Sequence, residues 1–184
     1  MDSDIHVKIG LTKSGEITAV DAEVVQRGGA YAGYGLVTIL YAGALLHALY
    51  KVGAVRYRGW RVYTNLPPCG AMRGFGVNQA HIALEACIDM QADKLGLDHW
   101  DIRWRNALEE GKRFGTGQRL GPGVGLKQTL LAVRDAYRGA RFAGIACGVK
   151  NTGIGNGMTE YGRAVLRVEP DASVTLFHSW TEMG

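Results

Sequence analysis

A loop holding two prolines and three glycines runs directly into the longest apolar periodic stretch of the chain: Thr64-Asn65-Leu66-Pro67-Pro68-Cys69-Gly70-Ala71-Met72-Arg73-Gly74-Phe75-Gly76-Val77-Asn78-Gln79. Pro67 and Pro68 stop any strand before them, and Gly70, Gly74 and Gly76 let the backbone bend closely around a ligand. Beyond the loop, Val77, Ala80, Leu84, Cys87, Ile88, Gln91 and Leu95 recur at spacings of three and four, which predicts a buried helix from Val77 to Leu95. The loop therefore sets a cation, an aromatic ring and backbone N–H groups at a helix N-terminus, where anions are favoured. The same residues also suit a helix-capping turn with Phe75 as its apolar staple. From the residues alone both readings stand.

The remaining pattern predicts an α+β fold, with mixed sheets flanked by long helices and no strict βαβ alternation. Ile5, Val7, Ile9 and Leu11 alternate with polar residues, Lys13-Ser14-Gly15-Glu16 makes a turn, and Ile17 to Gln26 continues extended, so the chain opens on a β-hairpin. Thr38 to Leu49 reads as a helix and Val55 to Thr64 as a strand. Glu85, Asp89 and Asp93 share one stripe of the long helix and read as a solvated face. Gly96 is a C-cap and Asp98 an N-cap for a helix whose apolar face is Trp100, Trp104, Ala107 and Leu108. Residues 113–125 are loop, and Leu126 to Tyr137 is an amphipathic helix with Leu130, Leu131 and Val133 inward. From Phe142 the pattern turns to strands: Gly144 to Val149, Arg163 to Val168, and Val174 to Trp180 after a turn at Pro170-Asp171-Ala172.

Several function classes are set aside by composition and spacing. A net charge of +4, from 21 Lys+Arg and 17 Asp+Glu, is too small and scattered for a nucleic-acid surface. Arg56, Arg58 and Arg61 among Tyr57 and Trp60 read as the exposed basic face of a strand. Cys69, Cys87 and Cys147 show no zinc-ligand spacing and fit a reducing cytoplasm. Residues 35–50 fall short of a membrane span, and Met1-Asp2-Ser3-Asp4 is not a leader. Gly74-Phe75-Gly76 lacks the preceding strand of a dinucleotide fingerprint, and Gly153-Ile154-Gly155-Asn156-Gly157 lacks its spacing. No serine occupies a nucleophile elbow. His178 reads as a half-buried sheet residue, and His47 and His81 as hydrogen-bonded core histidines.

Residues 64–106 closely resemble the signature region of the molybdenum hydroxylases, the xanthine dehydrogenase and aldehyde oxidase family. Ile102-Arg103-Trp104-Arg105-Asn106 resembles the family's Arg-x-x-Asn helix, and Thr181-Glu182-Met183-Gly184 the opening of its Glu-Met-Gly-Gln-Gly cofactor loop. Residues 144–157 are most similar to the bacterial branch that includes selenium-dependent xanthine dehydrogenases. The resemblance implies a molybdenum–molybdopterin cofactor, in bacteria the cytosine dinucleotide form. That centre hydroxylates an aldehyde carbon or a carbon beside nitrogen, as in purines, with oxygen from water. It also implies iron–sulfur clusters, with or without FAD, on other domains or subunits, and an oligomer when complete.

By the same resemblance, Met72, Arg73, Gly74, Phe75, Gly76, Met183 and Gly184 contact the cofactor, while Phe75 and Tyr41 contact the substrate. The N–H groups from Gly74 to Val77 would face accumulating oxygen charge. Tyr41 stands where xanthine-oxidising members carry an arginine, which points toward aldehyde-oxidising members. Ile154 is the only large residue where a second stacking aromatic is expected. The family's glutamate base, in a Gly-x-Gly-Glu setting, has no counterpart, so no catalytic residue is assigned here. The chain then reads as an internal piece: residues 1–120 end one molybdopterin-binding domain, and residues 121–184 carry a connecting helix and begin the next. Such a piece alone is expected to be inactive. A ligand-binding fragment without activity, or a structural fragment with Phe75 in its core, are the alternatives.

Overall fold

The computed structural model describes residues 2–151, 159 and 161–179. Alternating burial along β1 (Ser3–Leu11) and β2 (Ile17–Gly29) follows from their alternating sequences, and the two pair antiparallel with Val7 opposite Ala22. The expected hairpin is present. β3 (Ala54–Tyr63) then joins the free edge of β2 in parallel, Ala22 opposite Tyr57, giving the order β1-β2-β3. A parallel return needs a crossover, and a short 3-10 turn plus α1 (Leu36–Leu45) supplies it. The helix expected over residues 38–49 starts two residues earlier and ends at Leu45, after which the chain continues in turns.

α2 (Val77–Leu95) packs across the sheet, and Val20, Ala22, Leu46, Leu84, Ile88 and Ile102 form the main core. Gly96 ends α2 in the left-handed region (φ 64°), with its N–H donating to Asp93 O and the Leu97 N–H donating to Ala92 O. α3 (His99–Asn106) begins where Asp98 Oδ1 accepts from the N–H groups of Trp100 (2.8 Å) and Asp101 (3.0 Å). Both caps fall where the sequence places them. Asp98→Ala should lower unfolding free energy by about 1 kcal/mol, the usual cost of such a cap. A shift in the urea midpoint without a change in slope would register it.

Asn106 closes α3 onto the β1–β2 turn. Its Nδ2 donates to Gly15 O (2.7 Å) and Ile102 O (2.8 Å), and its Oδ1 accepts from Ile17 N–H (2.8 Å). The Arg-x-x-Asn pattern is thus a structural clamp joining elements about ninety residues apart. Its arginine corrects a second expectation. Glu85 is buried rather than solvated: it meets Arg103 Nε at 2.8 Å and Tyr50 OH at 2.5 Å, because α3 folds back over that part of the stripe. Asp93 remains largely exposed, as expected.

α4 (Leu126–Gly139) packs against α3 through Leu130, whose carbonyl accepts from Trp100 Nε1 (2.8 Å), and Trp104 stacks on Trp100 with centroids 5.0 Å apart. Leu131 and Val133 are exposed, contrary to expectation, and the buried residue of α4 is Leu130. Residues 144–149 form no strand. The Cys147 N–H donates to Glu85 Oε2 (2.9 Å), so a buried carboxylate takes a bond that a sheet partner would have taken.

Two compact units result, Met1–Lys150 and Asn151–Gly184. In the second, β4 (Ala164–Val168) and β5 (Val174–His178) form an antiparallel hairpin, turned by Asp171, whose carboxylate accepts from Ser173 N–H and Oγ. Trp180, expected to end the last strand, lies outside the described residues.

Candidate functional site

Three successive residues of the proline–glycine loop take left-handed backbone conformations: Gly74 (φ 95°), Phe75 (φ 53°) and Gly76 (φ 84°). For phenylalanine this costs about 1–3 kcal/mol, a strain that the surroundings must hold in place. The Phe75 N–H donates to Met72 O (2.8 Å), the Val77 N–H to Gly74 O (3.1 Å), and Asn78 Nδ2 to Arg73 O (3.1 Å). The N–H groups of Phe75 and Val77 are therefore consumed inside the turn, which corrects the expectation that all from Gly74 to Val77 face a ligand. Those of Gly74 and Gly76 have no backbone partner among the described residues.

A polar layer beneath the loop ties it to the sheet. Gly76 backs onto Thr38 O and Gln26 Nε2, so closely that a Cβ would lie 2.5 Å and 3.1 Å from them. Thr38 Oγ1 donates to Gln26 Oε1 (2.8 Å) and accepts from Arg61 Nη1 (3.2 Å). Arg61 Nη2 donates to Cys69 O at the loop's start. Gln26 is fully buried, and its Nε2 has no hydrogen-bond partner among the described residues.

Held this way, Phe75 faces Tyr41 on α1, centroids 6.0 Å apart and planes tilted by 47°. Tyr34 meets Phe75 edge-on at 6.4 Å. Lys150 closes the cluster, its Nζ 4.2 Å from the Tyr41 ring centroid and 5.5 Å from that of Phe75. Burial pulls the Lys150 pKa below its ordinary value. Two expected substrate residues, Phe75 and Tyr41, are thus brought together. Met72 and Arg73 lie on the exposed side of the same turn. Met183, Gly184 and residues 153–155 lie outside the described residues.

Sequence reading missed Tyr34, which stood only as a residue between glycines, and Lys150, which followed a segment read as strand. His81 is a core histidine as expected, its Nε2 2.9 Å from Leu45 O. His47 is buried against Phe114, but its ring nitrogens have no hydrogen-bond partner among the described residues, and burial lowers its pKa. The hydrogen bond expected for it is not present among the described residues.

Between Thr64 and Gln79 the loop carries no acidic residue. An exposed guanidinium at Arg73, the N–H groups of Gly74 and Gly76, and a glycine floor with no room for a side chain suit a group rich in anionic oxygen. The residues present fit such a cofactor. Residues 1–107 match the family model of the molybdopterin cofactor-binding domain.

The chain belongs to that family.

Several of its relatives are molybdopterin or molybdenum-binding subunits by name. The large molybdopterin subunit of nicotinate dehydrogenase from Eubacterium barkeri is 43% identical over 131 residues, 71% of this chain and 31% of the relative. Among solved structures, aldehyde oxidoreductase from Desulfovibrio gigas superposes with a TM-score of 0.79 at 26% identity, covering 95% of this chain and 20% of that one. Quinoline 2-oxidoreductase from Pseudomonas putida 86 superposes with a TM-score of 0.76 at 27% identity, covering 100% and 27%. This molybdopterin-binding chain thus spans between a fifth and a third of those proteins. The family resemblance read from residues 64–106 and the mixed helix–sheet fold are both borne out. Among the described residues, no helix is long and apolar enough to cross a membrane.

Proposed function

We propose that this chain is part of a cytoplasmic molybdenum hydroxylase that oxidises an aldehyde or an N-heterocyclic, purine-like substrate. It would carry the end of one molybdopterin-binding domain and the start of the next. The observation that carries the reading is the left-handed turn of Gly74-Phe75-Gly76, which places Phe75 on Tyr41 and Arg73 on the outer side of the same loop. When bound, the molybdenum–pterin group, in its cytosine dinucleotide form, supplies the redox chemistry, with water as oxygen source and iron–sulfur clusters, with FAD, as electron carriers on other domains or subunits.

This chain's own part is binding and positioning. Arg73 and the N–H groups of Gly74 and Gly76 hold anionic oxygen, and Met72, Met183 and Gly184 complete the cofactor contacts. Phe75 and Tyr41 present aromatic surface to a flat substrate and keep water from it. The proton-abstracting base belongs to a part of the enzyme outside these residues.

In the complete enzyme, Phe75→Ala should raise KM for an aromatic substrate about 3- to 10-fold, which corresponds to the stacking energy of about 0.5–1.5 kcal/mol. KM for a small aliphatic aldehyde should stay nearly constant. A lowered melting temperature with an unchanged aromatic KM would assign Phe75 to the core alone and count against the reading.

A further inference from the structure

We propose that residues 110–120 form an acid-released flap, pinned against the fold by the neutral imidazole of His47.

The segment is closed on itself. The Gly111 N–H donates to Leu120 O (2.9 Å), the Leu120 N–H to Lys112 O (3.0 Å), the Phe114 N–H to Gln118 O (2.7 Å) and the Gly117 N–H to Phe114 O (2.8 Å). Arg113 and Arg119 stand opposite each other within it and donate to its own carbonyls, Gly117 O (3.0 Å) and Gly111 O (3.1 Å). These bonds stay intact if the segment lifts as one piece. Its base is fixed separately: the Leu108 N–H donates to Leu49 O (2.9 Å), and Glu109 meets Lys51 (3.2 Å) and Lys127 (2.8 Å).

The far end rests on His47. Phe114 lies against that ring, centroids 5.7 Å apart and planes tilted by 39°. The backbone at Gly115 comes so close that a Cβ there would fall on His47 Nε2. His47 is 4% exposed, and neither ring nitrogen has a hydrogen-bond partner among the described residues. A neutral imidazole can occupy such a place. An imidazolium there would be a buried charge with two donors and no acceptor.

Burial accordingly holds the His47 pKa below its ordinary value. The neighbouring elements bring little to offset it. On α1 and the turn after it stand Tyr41 and Tyr50, the latter donating to Glu85. On α2, His81 is bonded to Leu45 O, and Glu85 is taken by Arg103 and Tyr50. The loop itself adds exposed Glu110 and three exposed cations, Lys112, Arg113 and Arg119, which oppose a further positive charge.

Lifting the flap gives His47 water and a pKa near the ordinary value of about 6.5. The closed form is therefore favoured at and above neutral pH and loses ground as the pH falls below that value. Glu109, held below the usual carboxylate range by Lys127 and Lys51, keeps its charge over the same interval, so the base stays shut while the far end lifts.

Hydrogen exchange of the complete protein, read by mass spectrometry and corrected for the intrinsic pH dependence of exchange, tests this. Between about pH 7.5 and pH 5.5 the protection of residues 110–120 should fall about 10-fold, the gain in imidazole protonation on opening. Peptides from α2 should change by less than about 2-fold, because only local opening is linked to that proton. His47→Phe keeps a ring in place but takes up no proton, so its loop should stay protected at both pH values. Phe114→Ala uncovers the imidazole, so its loop should already be open at the higher pH and respond less than about 3-fold to the lower one.

Equal protection of the loop at both pH values, or a response that survives His47→Phe, overturns the inference. Loss of protection in α2 in step with the loop would mark general acid unfolding, and that also overturns it. If His47→Phe does not fold, Phe114→Ala decides: the full response retained there overturns it as well.

Discussion

Arg103→Met should lower the unfolding free energy of the protein by about 3–5 kcal/mol, the cost of removing one partner from a buried ion pair. The Arg103 side chain has no exposed surface. Its Nε donates to Glu85 Oε2 (2.8 Å), and its Nη1 reaches Asp89 Oδ1 (2.8 Å) and His99 O (2.9 Å). Glu85 is also buried and accepts from Tyr50 OH and Cys147 N–H. Burial by itself would lower the guanidinium pKa, but the Glu85 charge and Tyr50 hold it above its ordinary value. Burial, and then Glu85, likewise push the Tyr50 hydroxyl well above its ordinary value, so it remains a donor.

Removing the arginine leaves the Glu85 carboxylate under α3 with two neutral donors and no counter-charge. The double variant Glu85→Gln with Arg103→Met removes both charges and should recover about half of the loss or more, since a neutral buried pair escapes most of the desolvation penalty. Equilibrium urea denaturation of the parent protein and the two variants decides this. A loss under about 1 kcal/mol for Arg103→Met would mean that the pair is weakly coupled, as surface pairs are.

Glu85 also shows where sequence reasoning stops. Periodicity places Glu85, Asp89 and Asp93 on one stripe, and they do lie on one. It does not say that α3 covers the start of that stripe and leaves its end in water, because the covering residue lies on another helix. The caps at Gly96 and Asp98 were legible because a cap is a bond within a few residues of itself. The hairpin was legible for the same reason.

The parallel partner of β2 was not, since alternation in residues 54–63 carries no information about which edge the strand joins. Residues 144–149 have the composition of a strand, yet their backbone bonds to a glutamate. The site divides along the same line. Phe75 and Arg73 were singled out by a local motif, whereas Lys150 reaches the aromatic cluster through the turn of chain which that glutamate anchors.

The second large effect is expected at Gly76. Alanine there must adopt φ near 84°, which costs about 1–2 kcal/mol for an L-residue. Its Cβ must also find space 2.5 Å from Thr38 O and 3.1 Å from Gln26 Nε2. Thr38 belongs to α1, and its hydroxyl is committed to Gln26 and Arg61, so neither obstacle swings away as the end of a long exposed side chain would. Overpacking of that kind adds about 1–3 kcal/mol, so Gly76→Ala should destabilise by about 2–5 kcal/mol.

The loop must shift outward to relieve the contact, and that shift moves Phe75 off Tyr41 and displaces the Gly74 and Gly76 N–H groups. Molybdenum content of the purified complete enzyme should therefore fall together with stability. Gly70→Ala is the control from the same loop: a Cβ at Gly70 meets nothing within 4 Å, and the change should stay within about 0.5 kcal/mol. Equal tolerance of the two alanines, in melting temperature and in molybdenum content, would show that the floor beneath Phe75 yields, and the loop would then be a cap on α2 rather than a mould for a cofactor.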